Sequence, residues 1–123
     1  MEPTQYAWCK RQSETIAALP ARAGPAAVFR QMLASYEAGK DEISASFQAR
    51  VRRKLIDLAI AGRDDRQLDI ALGLAPLAKE NLNGVGYALV DANWMVGRGM
   101  AMIDEAAVYV CSPFLFLPRR NSW

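Results

Sequence analysis

Leu89-Val90-Asp91-Ala92-Asn93-Trp94-Met95-Val96-Gly97-Arg98-Gly99-Met100-Ala101-Met102-Ile103-Asp104-Glu105-Ala106-Ala107-Val108-Tyr109-Val110 is the stretch around which the chain organises. Counted in sevens, Leu89, Val96, Ile103 and Val110 share one position, and Ala92, Gly99 and Ala106 share the position three residues on. Branched apolar residues on one rung and small residues on the next make the pattern of a helix seam. Small rungs also let a second backbone come close. Met95, Met102 and Tyr109 form a row beside the seam, and Trp94, Ala101 and Val108 another. Only Asp91, Arg98 and Glu105, with Asn93 and Asp104 beside them, are polar. A helix apolar on most of its circumference is buried by neighbours. The spacing therefore predicts a central helix near 89–110, ~33 Å long at 1.5 Å per residue.

The competing reading is a hairpin turned at Gly97-Arg98-Gly99, since each glycine costs roughly 1 kcal/mol in a helix interior. The residues flanking that tripeptide do not alternate apolar with polar, as a half-buried strand would, while the seven-residue pattern persists. Helix is the preferred assignment.

With 123 residues, the chain is expected to form one domain, 1–123, with a core large enough to need no staples. A content of 52% hydrophobic and 23% charged residues is ordinary for a globular protein, and a net charge of +2 argues for no particular partner. No apolar run is long enough to span a bilayer, and Met1-Glu2-Pro3-Thr4-Gln5 lacks the basic start and apolar run of a signal peptide, so a cytoplasmic location and no membrane partner are expected. Cys9 and Cys111 are read as two buried thiols in preference to a disulfide. The chain contains no histidine. That removes the commonest general base, the commonest metal ligand and every Ser-His or Cys-His nucleophile pair. No catalytic residue, metal site or cofactor is assigned, and the balance is against an enzyme.

Taken in order, residues from about Pro3 to Leu19 form a first helix with Tyr6, Cys9, Ser13 and Ile16 on its inner face. Pro20-Ala21-Arg22-Ala23-Gly24-Pro25 breaks it. A second helix carries Val28, Phe29, Met32, Leu33 and Tyr36 and stops at Gly39. The third runs from an Asp41 cap through Ile43, Phe47, Val51, Leu55 and Leu58 to Gly62. Ala38-Gly39-Lys40-Asp41-Glu42 and Ala61-Gly62-Arg63-Asp64-Asp65 share a spelling. In both, glycine is expected in the left-handed conformation and aspartate as the next cap. Asp64 with Gln67 starts a fourth helix bearing Leu68, Ala71, Leu72 and Ala75, which Pro76 ends. Leu77 to Leu82 adds one short turn, and Asn83-Gly84-Val85-Gly86 reads as a flexible connection into the central helix. After Ser112-Pro113 comes Phe114-Leu115-Phe116-Leu117-Pro118, then Arg119-Arg120-Asn121-Ser122-Trp123. So apolar a tail is expected to be packed, on its own domain or on another subunit. The fold class is all-α: a bundle of about five helices around the 89–110 helix.

Two constellations compete as sites. Arg50, Arg53 and Lys54 share the outer face of the third helix with Asp57, where they form either a phosphate-contacting surface or a solvated face with one ion pair. Asp91, Arg98 and Glu105 either line a small-ligand or enzyme pocket or form the exposed strip of the central helix. In both cases the bland reading is preferred. What stands out instead is a surplus of apolar surface. Met95, Met102, Tyr109, Phe114, Phe116 and Trp123 are therefore the expected protein-interaction residues of a small regulatory or binding module. Its partner would be another protein or a second copy of itself, making a homo-oligomer. Nucleic-acid binding through Arg50, Arg53 and Lys54 is the alternative, and a pocket at Asp91, Arg98 and Glu105 the second alternative.

Overall fold

The computed structural model describes residues 3–77 and 79–111, and among these every regular element is helical. Six α-helices follow one another: α1 (Pro3–Ala17), α2 (Gly24–Gly39), α3 (Ala45–Ala61), α4 (Asp65–Gly73), α5 (Lys79–Asp91) and α6 (Val96–Cys111), with one 3₁₀ turn at Lys40–Glu42. The all-α expectation holds. The chain divides into two compact units, Met1–Leu74 and Ala75–Trp123.

In the first unit α2 packs on α1 and on α3, and α3 on α4. The expected inner faces of α2, α3 and α4 are buried at Phe29, Tyr36, Val51, Leu55, Leu68 and Ala71, and Ile56, Ala59 and Ile60 join them. The first helix is turned relative to expectation. Tyr6 and Ser13 are exposed, while Trp8 and Gln12, one turn apart, are buried. Trp8 decides that rotation because its indole fills the corner where α2 gives way to the 3₁₀ turn. Its Nε1 donates to the Ser35 carbonyl at 3.1 Å. Its ring meets Phe47 edge-on at 6.0 Å between centroids.

Gly39 is the other half of that corner. A Cβ there would lie 2.5 Å from Trp8 Cδ1, so the glycine is needed for space. Its φ of −127° is not left-handed, contrary to the expectation for this loop. Gly62 likewise has φ −86°. The left-handed residue is Arg63, at φ 48°. Arg63 N–H donates to the Ile60 carbonyl and Asp64 N–H to the Ala59 carbonyl, a Schellman closure centred one residue later than the glycine. Asp41 is not a cap, since it lies within the 3₁₀ turn. Ser44 caps α3 instead, its Oγ accepting from Phe47 N–H at 3.2 Å. Asp64 does cap α4, accepting from Gln67 N–H at 3.0 Å.

In the second unit the central helix is corrected to two. The 89–110 stretch breaks at Ala92–Met95, with Asn93 at φ 51° and Met95 at φ 52°. Asn93 N–H donates to the Val90 carbonyl and Trp94 N–H to the Leu89 carbonyl, which closes α5 as a Schellman motif with Asn93 in the left-handed position. Asparagine tolerates that conformation better than other non-glycine residues. The Met95 carbonyl then accepts from Gly99 N–H and opens α6. Gly97-Arg98-Gly99 is helical and not a hairpin turn, and Asn83-Gly84-Val85-Gly86 lies inside α5 and not in a flexible connection.

Candidate functional site

The α5–α6 pair is built on two glycines. A Cβ on Gly86 would lie 2.7 Å from the Gly99 carbonyl oxygen and 2.8 Å from Ile103 Cγ1. A Cβ on Gly99 would lie 2.7 Å from the Gly86 carbonyl oxygen and 3.2 Å from Val90 Cγ2. Only hydrogen fits at either position, so the backbones cross at direct contact. The expectation that the Gly99 rung admits a second backbone is met, and that backbone is α5.

The contacts are reciprocal because the sequence is. Gly84-Val85-Gly86-Tyr87-Ala88-Leu89-Val90-Asp91 and Gly97-Arg98-Gly99-Met100-Ala101-Met102-Ile103-Asp104 match as Gly-x-Gly-x-Ala, a Leu or Met, a Val or Ile, and Asp, thirteen residues apart. Gly86 meets Ile103 and Gly99 meets Val90, the equivalent residue four places after each glycine. The hairpin is thus a pair of like helices related by an approximate two-fold axis through the glycine crossing.

That symmetry places the side chains. In two antiparallel helices that face each other at equivalent residues, positions one step further along each helix turn by about 100° to the same side of the pair. Tyr87 follows Gly86 by one residue and Met100 follows Gly99 by one. They are 52% and 47% exposed, and Val96, a turn before Met100, is 37% exposed. Asp91 and Asp104, five residues after their glycines, are exposed on the rim of the same side. Val85, Leu89 and Ala106, by contrast, are buried.

The residues expected to mediate protein contact are distributed unevenly. Met95 sits in the turn and Met102 on α6, both half-buried, so they do not form one open stripe. Tyr109 belongs to α6. Phe114, Phe116 and Trp123 lie outside the described residues. Tyr87 and Met100 were not singled out by the reading in sevens. The thirteen-residue repeat is the signal that finds them.

The basic face of α3 is partly committed to internal bonds. Arg53 Nε pairs with Asp57 at 3.1 Å, and neighbouring Arg52 donates to the Tyr36 hydroxyl at 3.0 Å. Arg50 and Lys54 are exposed. Asp91 ends α5, whereas Arg98 and Glu105 belong to α6, so the turn divides that row between two helices.

A cleft of ≈370 Å³ between α1 and the end of α2 is lined by Trp8, Arg11, Thr15, Ser35 and Glu42. Its charged groups face each other, Arg11 Nη2 holding both Glu42 carboxylate oxygens at 2.9 and 3.1 Å, and the Trp8 indole N–H is spent on Ser35. The cleft therefore offers a ligand little that is not already engaged. Among the described residues no group of three or more His, Cys, Asp or Glu is arranged to hold a metal ion, and no helix is long and apolar enough to cross a membrane.

No protein-family model matches the chain, and comparison with curated proteins and with solved structures finds no match.

Proposed function

We propose that this chain is a small cytoplasmic protein-binding or regulatory module, self-associating, that acts through the apolar side of the α5–α6 pair. The observation that supports this is the placement of Tyr87, Val96 and Met100, three large apolar side chains exposed within one short helix pair and on one side of it. Isolated apolar residues are ordinary on protein surfaces, whereas adjacent ones gathered on one face mark contact sites. A face of methionine and tyrosine suits a protein ligand. Methionine adapts its shape, and tyrosine supplies a large contact at small entropic cost.

The test compares the native mass of the full chain with that of Met100→Glu and Tyr87→Glu. Both positions are exposed, so helicity by circular dichroism should be unchanged. The reading expects an assembly, with itself or with a co-purified protein, that both variants lose. A monomeric parent that captures nothing, or an assembly indifferent to both substitutions, rejects it.

A further inference from the structure

We infer that the α5–α6 pair opens at its turn into one helix and exchanges α6 with a second copy of this chain, forming an antiparallel two-helix dimer. The inference goes beyond the reading above, because the exchange uses contacts already buried inside the pair and leaves Tyr87 outside them.

The first observation is the register. Leu82, Val85 and Leu89 on α5 and Gly99 and Ala106 on α6 are buried, and Ile103 is half-buried. In sequence these residues follow one another three and four apart, and Ala92 and Val96 fill the two positions between Leu89 and Gly99 at the same spacing. That alternation is the seam of a helix that pairs with another along its length. A turn through the seam leaves its middle open: Val96 is 37% exposed.

The second observation is the pairing itself. A Cβ on Gly99 would lie 3.0 Å from Leu89 Cβ. Stepping outward from that contact along antiparallel helices brings Val85 level with Ile103 and Leu82 level with Ala106. Stepping inward brings Ala92 level with Val96. The same levels form when each helix is straight and the facing residue belongs to a second copy. The two-fold axis then passes beside Trp94, midway between Ala92 and Val96, and Val96 gains a partner that its own chain does not supply.

The turn supplies the third. Asn93 and Met95 both hold positive φ, at 51° and 52°. That conformation is disfavoured for a side chain of methionine's size. Met95 also opens α6 without a side-chain oxygen to cap it, and the first turn of α6 holds no acidic residue. Asp91 ends α5, where a negative charge opposes the helix dipole. A straight helix relieves all three, and Ala92-Asn93-Trp94-Met95 contains no proline or glycine to prevent it. Short hinges under strain favour exchange of this kind. Closure within one chain has tethering on its side, equivalent to an effective concentration on the order of millimolar. The closed pair therefore dominates in dilute solution, and the exchanged dimer grows with protein concentration.

The experiment places spin labels at Asn83→Cys and Glu105→Cys, both exposed positions, in the full chain carrying Cys9→Ser and Cys111→Ser. Doubly labelled chain is incubated with an excess of unlabelled chain, so that pulsed EPR reads distances within one chain. In the closed pair the two positions sit on neighbouring helices, about 10 Å apart between axes. In the straight helix they are separated by ~33 Å at 1.5 Å per residue. The long distance should rise, in step with dimer mass, as concentration goes from micromolar toward about millimolar. Asn93 is exposed, so substitution there acts on backbone preference. Asn93→Ala, which favours helix, should lower the dimer dissociation constant about three-fold or more, and Asn93→Gly, which favours the left-handed turn, should raise it by a similar factor. These constants are measured by sedimentation on chains without labels, so they stand if labelling disturbs the fold. Tyr87→Glu should leave the long distance in place. A short distance alone up to about millimolar in both the parent and Asn93→Ala, a dimer whose chains keep the short distance, or Asn93→Ala and Asn93→Gly acting alike overturns the inference. A short-distance dimer that Tyr87→Glu dissolves leaves the reading above standing. A long distance that persists while the micromolar assembly ignores Tyr87→Glu and Met100→Glu upholds the exchange and rejects that reading.

Discussion

The two units make room for close packing with the same residue type and opposite partners. In the first, Gly39 clears space for an aromatic ring, and the Trp8 indole fills it. In the second, Gly86 and Gly99 clear space for each other's backbone. The surfaces that result differ. A large ring in a corner takes apolar area inside, and among the described residues of that unit the exposed large apolar ones, Tyr6 and Ile70, are far apart in sequence. Two helices brought to backbone contact have little width between them. Side chains one step round the helix, Tyr87 and Met100, are then carried to the outside. Glycine packing thus produces an apolar surface where ring packing consumes one.

The largest effect should come from emptying the corner. Trp8→Ala removes a buried ring, its hydrogen bond to Ser35 and its edge contact with Phe47, and is expected to cost about 3–5 kcal/mol in denaturant melts. A loss under about 1 kcal/mol would mean that the first unit does not depend on its ring, and the comparison would break on that side.

Next come the glycines, which test the other side with a built-in control. Gly99→Ala puts a methyl 2.7 Å from the Gly86 carbonyl oxygen, and two backbones have no flexible end to yield. A loss of about 1–3 kcal/mol is expected, as for other overpacked contacts. A Cβ at Gly97, two residues away on the same helix, meets nothing within 4 Å. Gly97→Ala should therefore gain up to about 1 kcal/mol from helix propensity alone. Equal effects of the two substitutions would show that the crossing is not what holds α5 and α6 together.

Legibility in the sequence follows the same division. The α2, α3 and α4 faces were readable because one residue in three or four faces the core and the helices are bounded by Pro25, Gly62 and Asp64. The rotation of α1 was not, because Trp8 is placed by a gap over Gly39 that appears only in three dimensions. The break at Ala92–Met95 carries neither glycine nor proline, and reading in sevens passes through it, aligning Leu89 of α5 with Val96 of α6. Asn93 was the available hint, as the residue other than glycine that best accepts the left-handed position. Met95 and Arg63, also at positive φ, gave none. The candidate face was legible in principle, since the thirteen-residue repeat marks Tyr87 with Met100 and Asp91 with Asp104. The repeat becomes informative once the two copies are known to be separate helices facing each other.

A smaller effect of opposite sign is expected at Gln12. It is 7% exposed, and neither its Nε2 nor its Oε1 has a hydrogen-bond partner. A buried amide left unpaired forfeits its hydration without compensation. Gln12→Met keeps the length and removes the polar atoms. A gain of about 1 kcal/mol is expected from thermal or denaturant unfolding. A loss of similar size would mean that the amide does find a partner in solution, and that the α1 face is more polar in its requirements than ring packing alone implies.

The smallest effect should be the one that looks strongest on the page. Arg11 grips both carboxylate oxygens of Glu42 and so links α1 to the 3₁₀ turn beside the Trp8 corner. Yet its side chain is 57% exposed and that of Glu42 41%, so water and salt screen the pair and little desolvation is reversed when it is cut. Thr4 Oγ1 still donates to the Glu42 carbonyl, and Gln5 Oε1 still accepts from Ser44 N–H, so the strands of contact on either side remain. Arg11→Ala should cost roughly 0.2–1 kcal/mol, less in high salt than in low. Measured beside Trp8→Ala it sharpens the comparison, because a ring-built corner must fail when the ring goes and survive when the ion pair does. If the two losses came out equal, the corner would be held by its polar stitching, and the contrast with the glycine crossing would need to be drawn in charge instead of shape.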